Sequence, residues 1–181
     1  MKGVVFTEFL EFVAATHGDD MVDDIIDDCD LPNGGAYTSV GTYHHTEMQA
    51  LTSAFARRAG TATPDVLLGF GRHLCRRFAD SFPEFFQRRT SLFEFLESVD
   101  NHIHVEVRKL YPDADLPSFE THDRSDRGMA LDYRSCRPLE SLAEGLILGA
   151  SDYFGEPIAV RRTRHESATG GFVRFTIERA A

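Results

Sequence analysis

The hydrophobic period of this sequence changes once, after Pro117, and that change limits the folds open to it. Before it, apolar residues recur at helical spacing in five successive segments. After it come short alternating runs that read as strands, with one helix among them. A helical N-terminal region followed by a small antiparallel sheet with a packed helix is an α+β arrangement.

The five helical segments differ in how they start and stop. "KGVVFTEFLEFVAATHG" sets Val5, Phe6, Phe9, Leu10 and Val13 at helical spacing, with Gly18 as its stop. "DDMVDDIIDDCD" predicts a second, acidic amphipathic helix, and "LPNGGAYTSVGTYHH" a loop. "TEMQALTSAFARRAG" reads as a third helix capped by Thr46 and ended by Gly60. "TPDVLLGFGRHLCRRFADSF" opens on Thr63 as a cap, with Pro64 in the first turn. "SLFEFLESVDNHIHVEVRKLY" is the longest, stopped by Pro112.

Beyond Pro117, "SFETHDR" and "GMALDYRSCRPL" predict strands joined by a polar turn. "LESLAEGLILGASDYF" returns to helix, and "PIAVRRTRHE" and "GFVRFTIERA" close a hairpin around "SATGG". No repeat, low-complexity tract or linker interrupts the chain, and 181 residues fit one domain, 1–181.

Charge and cysteine usage exclude several function classes. A formal net charge of -10 is the wrong sign for a nucleic-acid binder, and "RRF" and "RRTR" are too short to form a basic surface. Cys29, Cys75 and Cys136 are widely spaced, with no CxxC pair to suggest a disulfide framework or a thiolate zinc site. The apolar part of "MKGVVFTEFLEFV" is broken by two Glu, unlike a signal peptide. No run approaches the ~18 apolar residues of a membrane span. A soluble protein of the reducing cytoplasm, without membrane or nucleic-acid partners, is expected. Fifteen Phe and no Trp predict a Phe-rich core.

Two stretches carry chemistry. In "YRSCR", alternation on a strand would align Tyr133, Ser135 and Arg137, a phenol, a hydroxyl and a guanidinium fork suited to carboxylates or phosphates. The same row also reads as a solvent-facing polar stripe. In "DNHIHVEVRKLYPDADLPSF", His102 and His104 lie two residues apart, roughly 200° around a helix, so they do not share a ligand. At ~100° per residue, Leu92, Leu96, Val99, Ile103 and Leu110 form an apolar stripe. His104 flanks it near Phe93, Val107 and Tyr111, and His102 flanks it near Phe95 and Glu106. Periodicity does not choose between them, and either reads equally as a packed or exposed side chain. His44, His45, His73 and Cys75 give no clearer pattern, and no nucleophile–base pair or paired carboxylates indicate an enzyme.

Taken in order, these segments resemble the heme nitric oxide/oxygen-binding family, H-NOX, which includes bacterial gas sensors and the sensory domain of soluble guanylate cyclase. The resemblance rests on "HVEVRKLYP", on Pro117 thirteen residues after His104, and on the Tyr-x-Ser-x-Arg of "YRSCR". "MKGVVFTEFLEFV", "GFGRH" and "AEGLILGA" are also similar to that family, so the likeness runs from Met1 to Ala181.

It implies heme b (iron protoporphyrin IX) buried between a mainly helical distal part, 1–60, and a proximal helix, sheet and hairpin, 61–181. His104, seven residues before the Tyr of "YP", would be the metal ligand, leaving His102 as a neighbour without that role. Tyr133, Ser135 and Arg137 would hold the heme propionates, and Pro117 would press on the porphyrin.

Oxygen-binding members place a Tyr, Asn and Trp network over the distal face, and the matching positions here are Leu142, Leu74 and Phe9. With Val5, Phe78 and Leu146 these make an apolar pocket. Bound oxygen carries partial negative charge and gains from a distal donor that NO hardly needs, so such a pocket favours NO. Some relatives carry a zinc cluster near the C-terminal hairpin. No cysteine follows Cys136, position 140 is Glu, and the hairpin offers Arg161, Arg164 and His165, so no such cluster is expected.

The resemblance therefore implies a cytoplasmic NO sensor, with CO as a further ligand, and not an enzyme. Signal transduction would run through rupture of the Fe–His104 bond and heme relaxation to a histidine kinase or a cyclic-di-GMP-metabolising enzyme in trans. An oxygen or redox sensor, and a heme-free interaction domain, are the alternative readings.

Overall fold

The computed structural model describes residues 1–166 and 170–180. Its N-terminal part contains α1 (Gly3–His17), α2 (Asp19–Asp27), α3 (His45–Ala59), α4 (Thr63–Ser81), a one-turn α5 (Pro83–Gln87) and α6 (Leu92–Ser98). Helix α1 buries Phe6, Phe9 and Val13, the stripe its spacing predicts. Gly18, at φ 85°, reverses the chain directly into α2, whose Asp19 and Asp20 complement the positive end of the helix dipole.

Two caps differ from expectation. Helix α3 is capped by His44 rather than Thr46. The His44 imidazole accepts the Thr46 N–H, while the Glu47 carboxylate accepts the His44 N–H at 3.1 Å, a reciprocal box in which the ring nitrogen replaces a hydroxyl. Helix α4 starts after Ala62, so Thr63 lies inside it and only Pro64 plays its expected first-turn role.

The largest departure concerns the longest helix. It is interrupted: α6 passes into a π turn, Val99–Ile103, and then into α7 (His104–Leu110). A π turn inserts one residue and rotates everything after it by about 100° relative to a continuous α-helix. The stripe drawn through Leu110 therefore fails, and Leu110 is 74% exposed. Helix α5 had no counterpart among the five helical segments read from sequence.

The C-terminal part is a four-stranded antiparallel sheet of β1 (Ser118–His122), β2 (Gly128–Arg134), β3 (Ile158–His165) and β4 (Phe172–Arg179), in the order β1-β2-β4-β3. Helix α8 (Glu140–Phe154) lies between β2 and β3 in sequence. Of the expected hairpin turn, Ser167, Ala168 and Thr169 lie outside the described residues. Strand β2 is shorter than expected, ending at Arg134.

Two Phe-rich cores result. One is built from α1–α4 and the start of α8, around Phe6, Phe9, Phe55 and Phe70. The other lies between the inner sheet face, with Leu131, Tyr133 and Phe175, and the helices carrying Phe93, Leu96 and Ile147. Helices α4 and α8 join them through glycines: a Cβ on Gly145 would meet Leu68 O at 2.3 Å, and one on Gly71 would meet Leu142 O at 2.5 Å. Phe78 and Leu146 pack against both cores, which places these two side chains at the seam.

Candidate functional site

His104 is the first residue of α7, directly after the π turn. Its side chain is 13% exposed, and its Nδ1 lies 3.3 Å from Asp100 Oδ1. The same carboxylate oxygen accepts the backbone N–H of Phe119 at 3.4 Å, so Asp100 ties the π turn to both the imidazole and β1. Burial lowers the His104 pKa, while Asp100 and the Pro117 carbonyl act in the opposite direction. Burial favours the neutral imidazole, and the carboxylate at Nδ1 favours the tautomer that carries its proton there, the form in which a histidine ligates a metal through Nε2. Pro117 is half-buried in the segment that links α7 to β1.

His102 faces elsewhere. Its ring meets Phe85 of α5 edge-on, with centroids 6.0 Å apart, whereas His104 lies 6.0 Å from Phe119 of β1. The two histidines thus serve different neighbours, as i, i+2 geometry requires.

Tyr133, Ser135 and Arg137 come together by a different route from the one expected. Only Tyr133 is on the strand, where it is buried opposite Phe119 at a ring distance of 5.4 Å. Burial raises its phenol pKa, and a hydrogen bond with Ser135 partly offsets this. Ser135 and Arg137 lie in the bend after β2, where Ser135 Oγ accepts the Arg137 N–H at 3.1 Å. Arg137 is only 11% exposed at its side chain. It donates Nη1–H to Asp115 O at 2.9 Å and Nη2–H to Asp115 Oδ2 at 2.6 Å, while its Nε is buried without a hydrogen-bond partner.

Around this guanidinium lie groups that sequence reasoning missed. The Met1 ammonium donates to Tyr43 O at 2.8 Å, and its pKa is lowered by burial first and then by Arg137. The His45 pKa is lowered by burial, then by His44 and Arg137. Asp115 and Met1 left no local pattern to read, but Asp100 did, standing one helical turn before His104.

The six expected distal residues gather around the first core. Phe9, Leu74 and Leu142 are buried in it, and Val5, Phe78 and Leu146 pack against it while partly exposed. The arrangement fits a heme: a buried imidazole, a buried guanidinium with an N–H to donate, and an apolar wall. Glu140 forms an ion pair with Arg164. His165 stacks on Phe172 at 4.8 Å, and Arg161 is exposed.

A family model for Haem-NO-binding proteins matches residues 2–162. Similar solved structures include the unliganded Fe(II) H-NOX protein from K. algicida, 34% identical, covering 100% of this chain and 97% of that one at a TM-score of 0.89. The H-NOX from Shewanella woodyi, bound to IWP-051 in the Fe(II)CO state, is 35% identical at a TM-score of 0.84, covering 99% of this chain and 95% of that one. The H-NOX protein from S. oneidensis in the Fe(II)NO state is 25% identical and matches over 100% of both chains at a TM-score of 0.90. No curated protein sequence matches.

Proposed function

The chain belongs to the Haem-NO-binding, or H-NOX, family of heme-based gas sensors, and from that premise we propose that it senses nitric oxide through heme b held by His104. The observation that carries this reading is the buried His104 imidazole with its Nδ1 engaged by Asp100, which would turn Nε2 toward an iron. When bound, the heme would supply a ferrous iron able to take a diatomic gas.

The chain's own residues do the rest. Tyr133, Ser135 and Arg137 hold the propionates, with the buried Arg137 Nε as a donor that Asp115 does not occupy. Pro117, half-buried between α7 and β1, would lie against the porphyrin. Val5, Phe9, Leu74, Phe78, Leu142 and Leu146 offer a gas only apolar surface, which disfavours oxygen more than NO or CO.

Signalling follows from the way His104 is mounted. Asp100 ties the His104 ring to β1, so a change in what holds His104 would let α7 shift against the sheet. Such a local change biases a two-state element and alters a surface that a partner reads. The domain spans 1–181, acts in the cytoplasm without catalysis of its own, and signals to a histidine kinase or a cyclic-di-GMP-metabolising enzyme in trans. Among the described residues, no helix is long and apolar enough to cross a membrane.

Absorption spectra of the purified ferrous protein, unliganded, under NO and in air, test this. Stable NO binding with no stable oxygen complex is expected. A persistent oxygen complex would overturn the NO-selective reading, and lack of a Soret band after expression with heme supply would overturn gas sensing altogether.

A further inference from the structure

The outer face of the sheet carries a second set of ligand-type side chains, separate from the heme site. Cross-strand register puts Glu120 directly opposite Asp132, and Glu120 and His122 share a face by strand alternation. Leu131 and Tyr133 of the same β2 point to the other side, into the core. On the outer face, one carboxylate oxygen each from Glu120 and Asp132 and a ring nitrogen of His122 lie within 4.8 Å of one another. His122 Nε2 is 3.2 Å from Asp132 Oδ2 and 3.7 Å from Glu120 Oε1.

We propose that Glu120, His122 and Asp132 form a binding site for a divalent first-row transition cation of the Zn2+ class. Two features distinguish this trio from an ordinary patch of surface charge. His122 Nε2 is buried yet has no hydrogen-bond partner, because it is out of line with the Asp132 oxygen it nearly touches. A nitrogen placed between two carboxylates without bonding to either suits a shared cation. Asp132, only 4% exposed, is also held in place from behind: Arg174 donates Nε–H to its Oδ1 at 2.6 Å and Nη2–H to its Oδ2 at 2.8 Å. That clamp fixes the carboxylate as outer partners fix metal ligands, and Oδ2 keeps lone-pair capacity for a cation.

The donor set selects the ion. One imidazole and two carboxylates suit Zn2+, Ni2+ or Mn2+, whereas Ca2+ and Mg2+ prefer all-oxygen sets. With metal–ligand bonds of ~2.1 Å, ligand atoms end up no more than about 4.2 Å apart. Glu120 is 65% exposed at its side chain and has the freedom to close in. A bound cation would pin β1 to β2 at the strand whose Phe119 packs against His104 from the opposite face.

Isothermal titration of Zn2+ into the heme-loaded protein, cleared of metal with EDTA, tests this. One equivalent should bind, and His122→Gln and Glu120→Gln should each weaken it by about tenfold or more. Co2+ absorption provides an independent readout, since the visible ligand-field bands of the wild type should vanish in His122→Gln. Asp132→Ala would orphan Arg174 and risk the fold, so the two exposed-side variants carry the test, with unchanged circular dichroism as the control. Absence of binding to the wild type would overturn the site and leave a His122–Asp132–Arg174 ion network. Retention of full affinity when His122→Gln and Glu120→Gln are combined would also overturn it, moving the cation to another place such as the His44–His45 pair at the start of α3, whose rings lie 4.6 Å apart.

Discussion

The Nδ1 of His104 lies 3.3 Å from Oδ1 of Asp100, one helical step back across the π turn. The carboxylate makes the imidazole a stronger donor to whatever its Nε2 holds, and it fixes the ring plane. Because the same oxygen accepts the Phe119 N–H, a pull on His104 reaches β1 through a single side chain.

Asp100→Asn keeps the size of this group but removes its charge. The Fe–His104 bond should weaken, seen as a lower Fe–His stretching frequency by resonance Raman, and heme should be lost about tenfold faster to an apomyoglobin trap. An unchanged frequency would show that Asp100 does not govern the imidazole.

The two histidines separate cleanly by experiment. His104→Gly should abolish the native five-coordinate ferrous spectrum, and added imidazole should restore it by filling the vacated volume. His102→Gly, which removes a ring that meets Phe85, should leave that spectrum intact. The reverse pattern would move the ligand to His102.

How much of this was legible in the sequence depends on the range of the interaction. The α1 stripe, the α8 helix and the alternation of β4 follow from local hydrophobic period, and the structure keeps them, whereas β2 is buried on both faces from Met129 to Tyr133. The π turn does not follow, because a wheel of fixed pitch cannot register one inserted residue, and that is why Leu110 was placed on the wrong face. Tyr133, Ser135 and Arg137 were expected to share a strand face, yet a bend rather than the pleat brings Ser135 and Arg137 beside Tyr133. Asp115 and the Met1 ammonium reach Arg137 through tertiary folding, which leaves no periodic trace. The Glu120–His122 pair was readable as i, i+2 on a strand, but its third member needed the β1–β2 register.

The α4–α8 crossing makes a stability prediction. Gly145→Ala would set a methyl 2.3 Å from the Leu68 carbonyl oxygen and 2.9 Å from Gly71 Cα, both backbone atoms that cannot rotate away. The helices must separate, at a cost of about 1–3 kcal/mol typical of overpacking. Urea unfolding of the heme-loaded protein measures it as a lower midpoint with an unchanged slope. Since this crossing joins the two cores, the variant should also alter the gas-bound spectrum. A variant as stable as the wild type would show that the interface yields without loss.

Acid sensitivity should arise partly at His73. Its side chain is 12% exposed, its ring packs 5.5 Å from Phe12, and its Nε2 is buried without a hydrogen-bond partner, 3.6 Å from Glu8. Burial lowers its pKa, Arg76 and Arg77 add to the effect, and Glu8 opposes it. The unfolded chain therefore takes up this proton at a higher pH than the folded one, at about 6.5. The contribution is fully kept above that pH and falls as pH drops toward the depressed folded value, where the loss levels off. Urea midpoints of the heme-loaded protein should fall between pH 7.5 and pH 5, and His73→Gln should reduce that fall. His45, lowered in the same direction, supplies part of the remainder. A pH profile identical in wild type and His73→Gln would rule out His73 as a source of the slope.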